Sequence, residues 1–331
     1  MKIVILGSGS WGSALAQVLC DNHNEVTIWG IEEAEVFDLN QYHQNRRYFP
    51  EAFLPDTIKA TTDLSVAKDA DIVLLAVPSI ALAEVCSRLN QVLEHPVLII
   101  NVAKGFHPVT HQRLSEVIAN CIDPKLCAAI VSLLGPSHAE EVIQRLQTVI
   151  CAVSEDLEAA KQVQYLFSNQ YFRVYRNDDV IGSEICCALK NIIAIASGIL
   201  SGIGLGDNAR AALITRGLAE IKRYGLPLGA REETFTGLTG IGDLVVTCMS
   251  PHSRNYEAGY LIGSHNSSRY FWQNNTKTVE GVHACKIVYE EALSKGIVMP
   301  ITEQVYHVLY KDFLPMEAVV RLMTRDLKTE F

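Results

Sequence analysis

One cation interrupts an apolar run that reads as a helix. Ile185, Ala188, Ile192, Ile195 and Ile199 recur at helical spacing, and Lys190 sits among them. On a helix its same-face neighbours are Cys186, Cys187, Ile193 and Ala194. Such surroundings strip water from an ammonium group and disfavour its charge, which makes a lysine useful for proton transfer near neutral pH. The ordinary alternative is a lysine that snorkels to water or pairs with a carboxylate such as Glu184. Asp243 ends the glycine-rich stretch Gly237-Leu238-Thr239-Gly240-Ile241-Gly242. That stretch predicts a loop presenting Asp243 at the start of the next element, as a site carboxylate or as a helix N-cap. Pro251-His252-Ser253-Arg254-Asn255 precedes a helix through Tyr256, Tyr260 and Leu261. A capping serine, unpaired N–H groups and an arginine can hold a phosphate, and they can also merely begin a surface helix. Lys104 follows an apolar strand and precedes Gly105. The chemistry on offer is proton transfer beside an anion-binding helix start.

The elements that must position these groups change character along the chain. Ile3–Leu6 is a wholly apolar strand, followed by Gly7-Ser8-Gly9-Ser10-Trp11-Gly12, a helix through Leu15, Val18 and Leu19, and a second strand, Glu25–Trp29. This is G-x-G-x-x-G in the context it requires: strand, turn, helix, strand. Gly7, Gly9 and Gly12 permit the tight turn and the approach of a pyrophosphate to a helix N-terminus. After the second strand come Ile31, Glu32 and Glu33. These carboxylates either accept from a ribose hydroxyl or simply begin a helix. Further strands are predicted at Ile72–Val77, Val97–Val102, Ala128–Leu134, Val149–Val153 and Phe172–Tyr175, with Pro78-Ser79, Lys104-Gly105 and Gly135-Pro136-Ser137 beyond their carboxyl ends. From Ile181 helical spacing replaces the strands. The reading is an α/β Rossmann-like dinucleotide-binding domain over residues 1–180 and a mainly α-helical substrate domain over 181–331.

Composition agrees with two globular domains in 331 residues, about half of them apolar. A net charge of −9 argues against a general nucleic-acid binder, while local cations still dominate a pocket over a Debye length. Nine scattered cysteines, with no CxxC pair, point to reduced thiols in a cytoplasmic protein. His107 and His111 lie four apart but flank Pro108, and no metal site is expected. The first residues are too short an apolar run for a signal peptide or a membrane span, and later runs are broken by charge, Pro or Gly.

These segments together resemble the bacterial-type NAD(P)-dependent glycerol-3-phosphate dehydrogenase family. The carriers are GSGSWG at 7–12, AVPS at 76–79, AKG at 103–105, GPSHAEEV at 135–142 and the long block LKNIIAIASGILSGIGLGDNARAALITRGLAEI at 189–221. GLTGIGDLVVTC at 237–248, SRN at 253–255, VEG at 279–281 and MPITEQVYHVLY at 299–310 complete the set. The resemblance implies interconversion of dihydroxyacetone phosphate and sn-glycerol 3-phosphate with NAD(P)H and no metal, in a cytoplasmic homodimer that supplies phospholipid synthesis. It implies Lys190 as the acid–base group, aided by Asp243, and Lys104 touching both substrate and cofactor. Gly135, Ser137, Ser253, Arg254 and Asn255 would hold the substrate. Ser10, Trp11, Tyr48, Ala139, Arg254, Val279 and Glu280 would join the three glycines around the nucleotide.

Two positions depart from the family pattern. Ile31 stands where relatives carry Arg or His, which leaves open whether NADH or NADPH is preferred. Arg46 or Arg47 could reach round to compensate. His138 stands where Phe is usual and is read as a packing substitute. The competing readings are a lysine-dependent hydroxyacid or ketopantoate-type reductase and, from another class, a non-catalytic dinucleotide sensor.

Overall fold

The computed structural model describes residues 1–327 and 329–330, which form two compact units, Met1–Glu184 and Ile185–Phe331. In the first, β1 (Lys2–Leu6), β2 (Glu25–Trp29), β3 (Lys59–Thr61), β4 (Ile72–Leu75), β5 (Val97–Asn101), β6 (Cys127–Leu134), β7 (Thr148–Val153) and β8 (Phe172–Asn177) make one sheet. Its order is β3-β2-β1-β4-β5-β6-β7-β8. Between the strands run α1 (Ser10–Asp21), α2 (Glu33–Tyr42), α3 (Leu82–Val92), α4 (Leu114–Cys121), α5 (Ala139–Val142) and α6 (Leu157–Phe167). Strand side chains alternate between two cores. Ile3 and Ile5 join Leu15, Leu19 and Phe167 on one face, and Val4 and Leu6 join Leu82, Leu89 and Ile118 on the other. Both faces are covered, which is why β1 and β4 read as unbroken apolar runs.

Three details differ from the sequence reading. β3 was not foreseen: Lys-Ala-Thr has no apolar run, and it pairs only at the sheet edge beside β2. β4 and β5 end at Leu75 and Asn101 because the chain leaves the sheet there to form loops. β7 runs antiparallel to β6, whereas every other neighbouring pair is parallel. The connection after β6 carries only the four-residue α5, so β7 starts from the end at which β6 finishes.

The second unit is helical. It takes most of α7 (Val180–Ile203), then α8 (Asp207–Gly225), α9 (Glu232–Phe235), α10 (Asp243–Met249), α11 (Arg254–Ser264), α12 (Arg269–Asn274), α13 (Glu280–Lys295), α14 (Pro300–Tyr310) and α15 (Pro315–Met323). Among the described residues α7 alone is long and apolar enough to cross a membrane, but 83% of that window is buried inside the protein, as in a core helix. α7 and α11 meet backbone to backbone through glycines on each. A Cβ on Gly198 would lie 2.1 Å from the Tyr256 carbonyl oxygen, and one on Gly259 would lie 2.0 Å from that of Ile195. Gly202 and Gly263 repeat the arrangement one turn on. Gly259→Ala is therefore expected to destabilise the fold by about 1–3 kcal/mol through overpacking. A urea midpoint equal to wild type would show that the seam can open at no cost.

Glu220, 2% exposed, accepts from the amides of Ile301 (2.6 Å) and Thr302 (3.2 Å) and so caps α14 from outside. Burial raises its carboxyl from the ordinary 4.5 to about 7, against those hydrogen bonds. An acid with a raised folded pKa contributes stability that is present below its unfolded pKa and lost as pH rises through the folded value. The melting temperature of Glu220→Gln relative to wild type should thus improve as pH is raised from about 4.5 to above 7. A difference independent of pH would refute this.

The nine cysteines are free thiols, six of them buried. Burial pushes Cys86 and Cys248 up to about 12 and Cys151 to about 11.

Candidate active site

The sheet order places a switch point between β1 and β4, from which the chain winds away in both directions. The glycine turn lies at its carboxyl edge. Gly7 has φ +125°, and a Cβ there would lie 2.4 Å from the Ala76 carbonyl oxygen. A Cβ on Gly12 would lie 2.2 Å from the Gly7 oxygen, so α1 can approach β1 only with glycine at both places. Around Gly9 nothing lies within 4 Å of a Cβ position, and Gly9 caps α1 without a side-chain bond. Open space beside Gly9, at the N-terminus of a 12-residue helix, fits the pyrophosphate of a dinucleotide.

At the end of β2, Ile31 is 71% exposed, and Glu32 and Glu33 begin α2, as the helix-start reading expected. The buried carboxylate is Glu35, 8% exposed, which sequence reasoning missed. It accepts from Ser8 Oγ of the glycine turn at 2.5 Å and from Arg47 at 2.9 Å. Tyr48 is exposed, with the Arg47 guanidinium over its ring.

Beyond β5 and β6 the loops converge. Lys104 Nζ donates to the Gly135 carbonyl at 3.1 Å, and Ser137 Oγ donates to the same oxygen at 3.1 Å. Gly135 has φ +140° and Ala139 opens α5. His138 caps α5 and accepts with its backbone oxygen from the amides of Glu141 and Val142. His107 Nδ1 accepts from the Thr110 amide at 3.1 Å, closing the loop after Lys104. Glu184 is held by Ser115, Arg113 and Ser132.

In the helical unit the carboxylate that meets Lys190 is Asp243. Lys190 is 4% exposed and Asp243 fully buried. Lys190 Nζ donates to Asp243 Oδ1 and, at 2.9 Å, to Thr247 Oγ1. Thr247 donates in turn to the Asp243 carbonyl oxygen at 2.6 Å. Cys187 Sγ donates to Asp243 Oδ2 at 3.4 Å. Residues 238–242 are a π turn broken at Gly240 (φ −90°, ψ −107°) rather than an open loop. Asp243 follows as the first residue of α10, with Gly242 as the cap, so its carboxylate is directed to Lys190 and not to capping. Thr247 lies one turn after Asp243; sequence reasoning missed it, although its i, i+4 spacing from Asp243 was the signal that could have found it. Nothing in the sequence marked Cys187 as more than core.

Ser253 caps α11, accepting from the Tyr256 amide at 3.2 Å. Arg254 is exposed and has no side-chain partner among the described residues. Asn255 is tied inward: it donates to Asn191 Oδ1 at 3.0 Å and accepts from the Gly281 amide at 2.9 Å. This joins the start of α13, where Val279 is the cap and Glu280 the first residue, to α7 and α11. Each unit thus carries its own half of the expected residues. The first holds the glycine turn, Tyr48, Lys104, Gly135, Ser137 and Ala139, and the second holds Lys190, Asp243, Ser253, Arg254, Asn255, Val279 and Glu280. No group of three metal-binding side chains occurs among the described residues.

Comparison with known proteins agrees along the whole chain. Residues 2–160 match the family described as NAD-dependent glycerol-3-phosphate dehydrogenase N-terminus, and residues 179–320 match its C-terminus. A protein of Enterococcus faecalis named glycerol-3-phosphate dehydrogenase [NAD(P)+] is 50% identical over 330 residues, covering 99% of this chain and 97% of that one. One of the same name from Streptococcus uberis is 48% identical, with 99% and 98% covered. The crystal structure of glycerol-3-phosphate dehydrogenase from Coxiella burnetii superimposes with a TM-score of 0.90 at 38% identity, over 98% of this chain and 99% of that one.

Proposed function

The chain belongs to the NAD-dependent glycerol-3-phosphate dehydrogenase family, and we propose that Lys190 is the acid–base group with which it interconverts dihydroxyacetone phosphate and sn-glycerol 3-phosphate. It is an NAD(P)-dependent oxidoreductase. The observation that carries the proposal is a lysine 4% exposed, held by a fully buried aspartate and a threonine.

The roles follow from chemistry. Bound NAD(P)H supplies the hydride. Gly7, Gly9, Gly12, Ser10 and Trp11 hold its pyrophosphate, with Tyr48, Ala139, Val279 and Glu280 as further contacts. A ketone oxygen that gains negative charge needs a proton, and Lys190 carries one at Nζ. Asp243 favours that charged form and fixes the ammonium, and Thr247 limits its swing. In alcohol oxidation the same nitrogen accepts the proton. Lys104, Gly135 and Ser137 line the substrate, and Arg254 with the Ser253-capped start of α11 receives its phosphate. Asn255 holds that helix start in place through Asn191 and Gly281. The likeness to the family supports a cytoplasmic homodimer that supplies glycerol phosphate for phospholipid synthesis.

Purified protein mixed with NADH or NADPH and dihydroxyacetone phosphate should lose nicotinamide absorbance. Turnover of a 2-oxo acid instead would make it a hydroxyacid reductase. Cofactor binding without turnover of either substrate would make it a sensor.

A further inference from the structure

We infer that Arg47 is the residue that receives the 2′-phosphate of NADPH and that Glu35 restrains it, so that this pair sets the cofactor preference. The inference rests on residues 7–12 being the dinucleotide cradle. It answers a problem left by the chain itself: the end of β2, where a cation would serve the phosphate, offers the exposed Ile31.

Two arginines lie nearby in sequence, and the structure separates them. Arg46 is committed to Asp38, with Nε at 2.9 Å and a second bond from Nη2, and its guanidinium stacks on Tyr42 at 4.5 Å. Among the described residues Arg47 donates one side-chain hydrogen bond, from Nη1 to Glu35 Oε1 at 2.9 Å, and its side chain is 63% exposed. Glu35 itself is fixed to the cradle through Ser8 Oγ. Gly30 leaves room for that bond, since a Cβ there would lie 2.5 Å from the same hydroxyl. Asn45 fastens the arginine loop to the same turn, donating to the Ser8 carbonyl at 2.7 Å and to Ser13 Oγ at 2.8 Å. The Arg47 guanidinium is therefore held beside the glycine turn by a carboxylate at the ribose end of the cradle.

The consequence is a competition. With NADH the Glu35–Arg47 pair stays closed, and the carboxylate retains acceptor capacity for a ribose hydroxyl. With NADPH the phosphate, at roughly −1.5 to −2 charge, competes with Glu35 for the guanidinium and is repelled by the carboxylate. One cation serves both anions, so neither cofactor is strongly excluded.

Calorimetric binding of 2′,5′-ADP and 5′-ADP reads the 2′-phosphate without turnover. Arg47→Met should weaken 2′,5′-ADP by about ten- to a hundredfold, the size of a charge-assisted hydrogen bond, and leave 5′-ADP within about twofold. Glu35→Gln keeps an acceptor for Ser8 but releases the guanidinium, and should tighten 2′,5′-ADP several-fold relative to 5′-ADP. Arg47→Met that weakens both ligands equally, or neither, overturns the inference. So does 5′-ADP binding with no 2′,5′-ADP binding in either wild type or Glu35→Gln. Failure of wild type to bind either ligand overturns the cradle reading itself.

Discussion

Lys190→Ala is expected to lower turnover by about two to four orders of magnitude, the range of a positioned general acid–base, while cofactor binding stays close to wild type. The variant also strands Asp243, which is fully buried. Removing one member of a buried pair costs about 3–5 kcal/mol, so a fall in melting temperature accompanies the loss. Lys190→Met combined with Asp243→Asn separates the two effects. The double variant should recover much of the stability and none of the turnover. A folded Lys190→Ala enzyme with near-normal steady-state turnover would remove this lysine from the chemistry.

Arg254→Ala should act on the substrate's charged end. The specificity constant for dihydroxyacetone phosphate should fall by about one to two decades more than that for unphosphorylated dihydroxyacetone, matching roughly 1.5–3 kcal/mol for a charge-assisted hydrogen bond. The residue is exposed at the start of α11, while Ser253 and Asn255 do the structural work of that turn, so folding should be little affected. Equal losses for both ketones would mean that Arg254 does not read the phosphate.

What was legible in the chain followed strong local signals. Buried parallel strands announce themselves as apolar runs, and the glycine turn has a spacing fixed by backbone approach, so β1 and β2 were readable almost to the residue and the helix between them by its apolar positions. Lys190 stood out because a cation on an apolar helix face is physically odd. Its partner was not legible from local pattern, which offered the neighbouring Glu184; only the family resemblance joined Asp243 to it, because the two are 53 residues apart in the chain. Other features depend on tertiary placement. Glu35 looks like any first-turn glutamate until α2 folds it back against Ser8. Cys187 reads as core until α10 brings Asp243 to it. The antiparallel β6–β7 pair and the edge strand β3 carry no pattern of their own, because pairing direction is set by the connection and by the neighbour already in place. The two-sided glycine seam is similar. Four glycines in two distant segments have meaning only once α7 and α11 lie together.

The buried thiols have an experimental use. Alkylating reagents attack the thiolate, and a group raised to about 12 presents almost none of it while the fold is closed. Each buried cysteine, closed off from reagent by the fold, is a silent reporter that becomes labelled when its surroundings open. Cys86 and Cys151 report on the first unit, and Cys186, Cys187, Cys248 and Cys285 on the second. Peptide mass mapping after timed exposure to iodoacetamide would then clock the openings of the two units separately in the native chain. No engineered label is needed, and the slower-labelling set identifies the half that stays folded longer.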